Sequence, residues 1–159
     1  MNIKLICVGK LKETYLLDGI NEYKKRISKY SNIEIIELTD ESIPDNPSQK
    51  EIDNIKKKEA DKMLAHIDPH DYVCALDLGG KQLTSEELAA KISDITLQGF
   101  STICFLIGGS LGLDKELVTK SNLVLSFSKL TFPHQLFRMI LLEQIYRCFK
   151  INNNETYHK

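Results

Sequence analysis

Three short segments bring polar or conformationally free residues to the ends of apolar runs, where a protein can place reactive groups. The first begins at Leu76, the second is GGSLG at 108–112, and the third is SKLTFPH at 128–134. Closely spaced glycines let backbone N–H groups approach an anion. A polar loop on a stiff frame offers many backbone donors and acceptors. A tight turn and an ordinary strand-to-helix connection are the structural alternatives for the second and third segments.

Known catalytic and metal motifs do not match these segments. The glycine cluster lacks the Lys-Ser/Thr ending of a P-loop and the spacing of a dinucleotide fingerprint, and no nucleophile-elbow or zinc pattern occurs. His134 is suitably placed for general acid–base work, but a histidine at a helix start also satisfies backbone groups. Asp77 is either catalytic or hydrogen-bonded at a strand end. We expect no metal site.

The C-terminal segment NNNETYHK is polar and is typical of a frayed terminus. It is unusual in containing Tyr157 and His158, which together provide an aromatic ring for stacking and a titratable imidazole.

The elements that must position these residues alternate along the chain. β-branched and apolar runs predict strands, and apolar residues spaced by three and four predict amphipathic helices. Ser48 with Glu51, and Thr84 with Glu87, are capping-box signatures that begin two of the helices. The predicted strands are 3–8, 33–38, 72–78, 102–107 and 123–127, and the predicted helices are 13–30, 48–66, 84–98, a short one from 114, and 133–151.

This alternation predicts an α/β fold with a mainly parallel sheet and helices on both faces. Ligands of such sheets bind outside the carboxyl ends of the strands. All three segments follow predicted strands and are therefore expected at one site. Lys56, Lys57 and Lys58 lie on a polar predicted helix and form either a solvated face or a phosphate-contacting edge.

Size and composition limit the class of protein. The 159 residues predict a single domain, 1–159, and the net charge of -1 does not indicate nucleic acid. The four cysteines stand singly in apolar runs, which is typical of buried thiols in a reducing compartment. The apolar runs are too short for a signal peptide or a membrane span, so we expect a cytoplasmic protein.

The last predicted helix has a wider apolar arc than one sheet face needs. Either this helix is central in the monomer, or its second face contacts another subunit. A homodimer is the favoured interpretation.

The chain resembles the ribosomal RNA large subunit methyltransferase H family, a minimal branch of the SPOUT class. The resemblance is carried by IKLICVGKLKETY, LDLGGKQLTSEELA, FLIGGSLGL, LSFSKLTFPHQLFRMILLEQIYR and the terminal YHK. It implies a C-terminal deep trefoil knot, a homodimer formed through the knot region, and S-adenosylmethionine (S-adenosyl-L-methionine) bound in the knot. The implied cofactor-binding residues are Leu76, Gly108, Phe127, Ser128, Lys129, Leu130, Thr131 and Phe132.

The resemblance also implies the reaction, which is methylation of the N3 position of a pseudouridine in 23S rRNA within assembled ribosomes. On this interpretation Tyr157 and His158 of one subunit are catalytic residues at the cofactor pocket of the other, and His134 only caps or packs. The chain departs from the family at Leu111, where a polar residue is usual, and at Lys159, where arginine is usual.

A non-catalytic nucleotide-sensing module and a ribosome-associated structural factor are the alternatives. For an RNA enzyme with a net charge of -1, we expect basic residues of both subunits, including Lys129, Arg138 and Lys159, to converge at the dimer cleft.

Overall fold

A computed structural model describes residues 1–159, and the predicted alternation of strands and helices is confirmed. The strands are β1 (Asn2–Val8), β2 (Asn32–Leu38), β3 (Tyr72–Gln82), β4 (Thr102–Ile107) and β5 (Leu123–Ser126). The helices are α1 (Thr14–Ile27), α2 (Gln49–Leu64), α3 (Ser85–Leu97), α4 (Lys115–Lys120) and α5 (His134–Asn152). Both predicted capping boxes are present, at Ser48 with Glu51 and at Thr84 with Glu87.

The five strands form one parallel sheet in the order β2-β1-β4-β3-β5. Alternate residues of the central strands face opposite sides of the sheet, so both sides carry a core. Leu5 and Phe105 belong to the larger core beneath α1, α3 and α5, whereas Ile6 and Leu106 belong to the smaller core beneath α2 and α4. The predicted parallel sheet with helices on both faces is therefore confirmed.

None of the helices combines the length and the apolar character that crossing a membrane requires. The four cysteines are buried and free, as their positions in apolar runs predicted. Burial raises the pKa of the Cys7 thiol to about 12, which keeps it protonated and unreactive.

Strand β3 is longer than predicted. The sequence placed its end at 78, before Gly79 and Gly80, but the strand continues to Gln82. Leu125 of β5 is paired with both Leu76 and Lys81. Because a strand residue has one neighbouring strand on each side, we infer that β3 leaves one side of β5 after Leu76 and returns on the other at Lys81.

Gly80 permits this crossing. A Cβ atom at Gly80 would lie 2.7–2.8 Å from backbone atoms of Val124 and Leu125, so only glycine fits against β5 there. Lys81 and Gln82 then cover the strand edge that β5 would otherwise expose.

The Arg138 guanidinium joins α5 to the carboxyl end of β1. It is 1% exposed, donates to the carbonyls of Val8 (3.2 Å) and Gly9 (2.7 Å), and pairs with Glu37 at 2.6 Å. Glu37 also accepts the backbone N–H of Leu11 at 2.8 Å. The expectation that Arg138 contributes to a basic RNA cleft is wrong, because its charge is buried and already paired.

Gly80→Ala tests the crossing. We expect a loss of about 1–3 kcal/mol in the free energy of unfolding, because the added methyl group collides with backbone that cannot move aside cheaply. Gly79→Ala is the matched control, since its Cβ would meet only the Oδ1 of Asp77, at 3.2 Å. Urea denaturation measures both, and equal stabilities would contradict the crossing.

Arg138→Met tests the ion pair between the buried guanidinium and Glu37. We expect a loss of about 1–3 kcal/mol, because the substitution leaves two backbone carbonyls without their donor, whereas the Glu37 carboxylate is 35% exposed and keeps the Leu11 N–H. Lys120→Met removes an exposed pair with Glu116 and should cost less than about 1 kcal/mol in the same urea titration. A small effect for Arg138→Met would show that the pair does not hold α5 in place.

Candidate active site

A cavity of about 410 Å³ lies at the carboxyl ends of β3, β4 and β5. This volume is typical of a small-molecule site. Its walls come from all three segments that the sequence selected, together with Lys56 of α2 and the first turns of α5. The apolar wall consists of Leu76, Leu78, Ile107, Leu111, Leu125, Phe127, Leu130, Phe132 and Phe137. The three segments that the sequence selected as candidate ligand sites therefore line one cavity.

The loop after β5 is shaped by its own hydroxyl groups. Ser126 Oγ donates to the carbonyl of Ser128 at 3.0 Å, and Ser128 Oγ accepts the N–H of Leu130 at 3.0 Å. Phe127 and Phe132 both contact the Phe137 ring, with centroids 5.0 and 6.0 Å apart. These contacts therefore stiffen the loop.

The glycine turn is both a tight turn and a cavity wall. Gly112 donates its N–H to the Gly109 carbonyl at 3.0 Å and has φ +80°. A Cβ atom at Gly108 would lie within 2.7–2.9 Å of the backbone of Gly112 and Leu113. The turn therefore requires glycines for its own geometry, and it also presents backbone to the cavity.

Seven of the eight residues that the resemblance implied for cofactor binding line this cavity. They are Leu76, Gly108, Phe127, Ser128, Leu130, Thr131 and Phe132. Lys129 is exposed and does not line it. Asp77 lines the cavity and accepts the N–H of Gly79 at 2.8 Å, so it has the strand-end hydrogen bond that the sequence allowed.

His134 is the first residue of α5 and lines the cavity. It makes no capping hydrogen bond, and its Nε2 lies 3.5 Å from the position of a Cβ on Gly9. Burial, and then the charge of Arg138, lower the pKa of His134 below its ordinary value. The ring is therefore neutral at physiological pH and packs beside the end of β1.

Tyr157 is docked on α5 rather than frayed. Its hydroxyl donates to Glu143 Oε1 at 3.0 Å, and its ring meets Tyr146 edge-on at 4.8 Å between centroids. The Arg147 guanidinium lies 4.8 Å from the Tyr157 ring centroid. Burial and the Glu143 carboxylate raise the pKa of Tyr157 to about 12.

His158 is held between two helices. Its Nε2 lies 2.7 Å from Glu86 Oε1 at the start of α3, and its Nδ1 lies 3.3 Å from Arg147 Nη1. The backbone N–H of Glu86, then His158 and Thr84, lower the pKa of the Glu86 carboxyl to about 2. Neither Tyr157 nor His158 lines the cavity of its own chain.

Sequence reasoning missed three residues that organise this region, since Glu86, Glu143 and Arg147 anchor the C-terminal residues. Lys56, which the sequence placed on either a solvated face or a phosphate-contacting edge, lines the cavity. The spacing of Glu143 and Arg147, four apart on a helix that is otherwise largely apolar, was a signal that could have identified the anchor. No group of three or more His, Cys, Asp or Glu side chains could hold a metal ion.

Comparison with known proteins determines the family. A family model described as "Predicted SPOUT methyltransferase" matches residues 1–158. This chain belongs to the SPOUT methyltransferase family. Relatives named "Ribosomal RNA large subunit methyltransferase H" are 59% identical in Clostridium novyi (strain NT), 56% in Clostridioides difficile (strain 630) and 54% in Streptococcus uberis (strain ATCC BAA-854 / 0140J). Each alignment covers 100% of both chains.

A solved structure agrees with the SPOUT assignment at the level of fold. It is described as "a probable methylase family protein from Haemophilus influenzae Rd KW20" and superposes with a TM-score of 0.56 at 12% identity. The match covers 99% of this chain and 70% of that one. The family model and the full-length relatives confirm the predicted family resemblance.

The docking of Tyr157 predicts a pH-dependent stability. The pKa of the Tyr157 phenol is about 12 in the folded protein and about 10 in the unfolded chain. Its contribution to the free energy of unfolding is therefore complete below pH 10 and is lost as the pH rises to 12. Phenolate absorbance should show a component titrating near pH 12 that is absent in Tyr157→Phe. In the control Glu143→Gln this component should move to lower pH, and its persistence there would contradict the Glu143 contact.

Proposed function

We propose that this protein transfers a methyl group from S-adenosylmethionine to the N3 position of a pseudouridine in 23S rRNA, in assembled cytoplasmic ribosomes. The observation that carries the proposal is the cavity formed by the three segments that identify the family. The full-length relatives named as ribosomal RNA methyltransferases support ribosomal RNA as the substrate class.

The cavity suits S-adenosylmethionine in chemistry as well as in volume. Phe127, Phe132 and Phe137 can pack against a flat adenine ring, and Ser128 and Thr131 offer hydroxyls to a ribose. The backbone of Gly108 and of residues 127–132, including Lys129, would hold the remaining polar groups. When bound, the cofactor supplies an electrophilic methyl group on its sulfonium centre.

The chain itself then needs to align the reacting atoms and assist removal of the N3 proton. We assign these roles to Tyr157 and His158. Tyr157 would position the base through its aromatic ring, because its hydroxyl hydrogen is donated to Glu143. The His158 imidazole would be the group that assists removal of the N3 proton.

A second subunit would bring these residues to the cavity. Tyr157 and His158 do not reach the cavity of their own chain, and the N-terminal half of α5 leaves Leu136, Phe137, Met139 and Ile140 only partly buried. A homodimer packed on this face would cover those side chains and place one chain's C-terminal residues beside its partner's cavity.

The crossing of β3 over β5 supports a deep trefoil knot. Residues 77–82 connect the two parts of β3 that pair with Leu125, one on each side of β5. They would therefore form a loop around β5, and the chain that follows β5 would pass through this loop. Residues 127–132, which form much of the cavity wall, come directly after this crossing. The knot would therefore be the feature that stiffens the cofactor site.

Labelled-methyl transfer to ribosomes, followed by mapping of the modified nucleotide, tests the function. We expect stoichiometric labelling by the wild type and a large loss for Tyr157→Ala/His158→Ala with cofactor binding retained. Cofactor binding without transfer by the wild type would instead indicate a sensing module.

Mixed dimers test the shared site. Thr131→Trp should block the cavity, because Thr131 is exposed at its rim and the larger side chain fills it without disturbing the core. The Thr131→Trp chain is then unfolded and refolded together with the Tyr157→Ala/His158→Ala chain. About half of the resulting dimers contain one chain of each kind, and each of these has one complete site out of two, so about a quarter of wild-type transfer should be recovered. No recovery in dimers verified as mixed would contradict a site built from two chains.

A further inference from the structure

Lys56 and Asp77 are the two residues of opposite formal charge on the cavity wall. The other lining residues are apolar, hydroxylic or glycine, apart from the neutral His134. Lys56 comes from α2, on the smaller-core side of the sheet, and Asp77 comes from β3. The cavity therefore offers one cation and one anion to a ligand.

Lys56 has no partner within the chain. Two other lysines of α2 are paired: Lys62 lies 2.6 Å and Lys58 4.0 Å from carboxylate oxygens of Glu41. Lys56 forms neither an ion pair nor a side-chain hydrogen bond, although it is partly buried against the glycine turn. An unpaired ammonium group on a cavity wall can bind an anionic ligand group by a charge-assisted hydrogen bond.

Asp77 retains capacity to bind a donor. One of its oxygens, Oδ1, accepts the N–H of Gly79, and a carboxylate has about four lone-pair sites on its two oxygens. The hydrogen bond to Gly79 also fixes the orientation of the carboxylate. Asp77 is therefore a positioned acceptor with room for an ammonium group.

We propose that Lys56 binds the carboxylate, and Asp77 the amino group, of the zwitterionic amino-acid end of S-adenosylmethionine. The identity of this ligand rests on the proposed function. The pairing places the polar end of the ligand between Lys56 of α2 and Asp77 of β3. It makes the two side chains specificity determinants for a ligand that carries both charges.

Calorimetric titration of the full-length protein with three ligands tests this assignment. S-adenosylmethionine has both charged groups, decarboxylated S-adenosylmethionine lacks the carboxylate, and methylthioadenosine lacks the whole amino-acid end. Lys56→Met should weaken binding of S-adenosylmethionine about tenfold or more and leave the other two affinities unchanged. Lys56→Arg should restore most of the affinity.

Asp77→Asn provides the complementary arm. It keeps an oxygen that can accept the Gly79 N–H but removes the negative charge, so it should weaken both ligands that carry the amino group and spare methylthioadenosine. Lys57→Met is the matched control, because Lys57 is exposed on the same helix and does not line the cavity. It should change none of the three affinities.

Two results would overturn the proposal. An equal loss for all three ligands in Lys56→Met would mean that Lys56 only shapes the cavity. Unchanged affinity for S-adenosylmethionine with a raised KM for ribosomes would assign Lys56 to an RNA phosphate instead. Failure of the proposed function appears separately, as a wild type that binds S-adenosylmethionine with these charge preferences but transfers no methyl group.

Discussion

The buried Arg138 guanidinium is the interaction on which the arrangement of the C-terminal third depends. A charge that is 1% exposed is tolerable only if it is paired, and here Nη1 and Nη2 of the guanidinium bind the Glu37 carboxylate and two carbonyls at the end of β1, while Nε has no partner. This fixes the start of α5 against the first strand. The loop after β5, which must join that fixed helix to a fixed strand, has little freedom left.

The site follows from that constraint. Loop residues 127–132 lie between β5 and α5, and Phe137 of α5 packs on two of their aromatic rings. The second half of α5 carries Glu143 and Arg147, which hold Tyr157 and His158. One helix therefore positions both the cavity wall and the C-terminal residues, although the two lie on different parts of its surface.

Local patterns in the sequence were sufficient for the strands, the helices, both capping boxes and the three segments that form the cavity. These features depend on residues close together in the chain, such as Ser48 with Glu51. The errors concern contacts between distant residues. Arg138 was expected at a basic cleft because its partner Glu37 lies 101 positions away and was not recognised. The predicted end of β3 was placed before Gly79 and Gly80 because β5, the strand that Gly80 contacts, comes much later in the sequence.

The pairings of β5 and the packing of α5 both join distant parts of the chain. Leu125 of β5 pairs with Leu76 and Lys81 of β3, and α5 packs on α1 and α3, which come from much earlier in the chain. Contacts between residues so far apart in sequence make folding slow. During synthesis the N-terminal elements emerge first, so α1 and α3 are available before α5 packs on them.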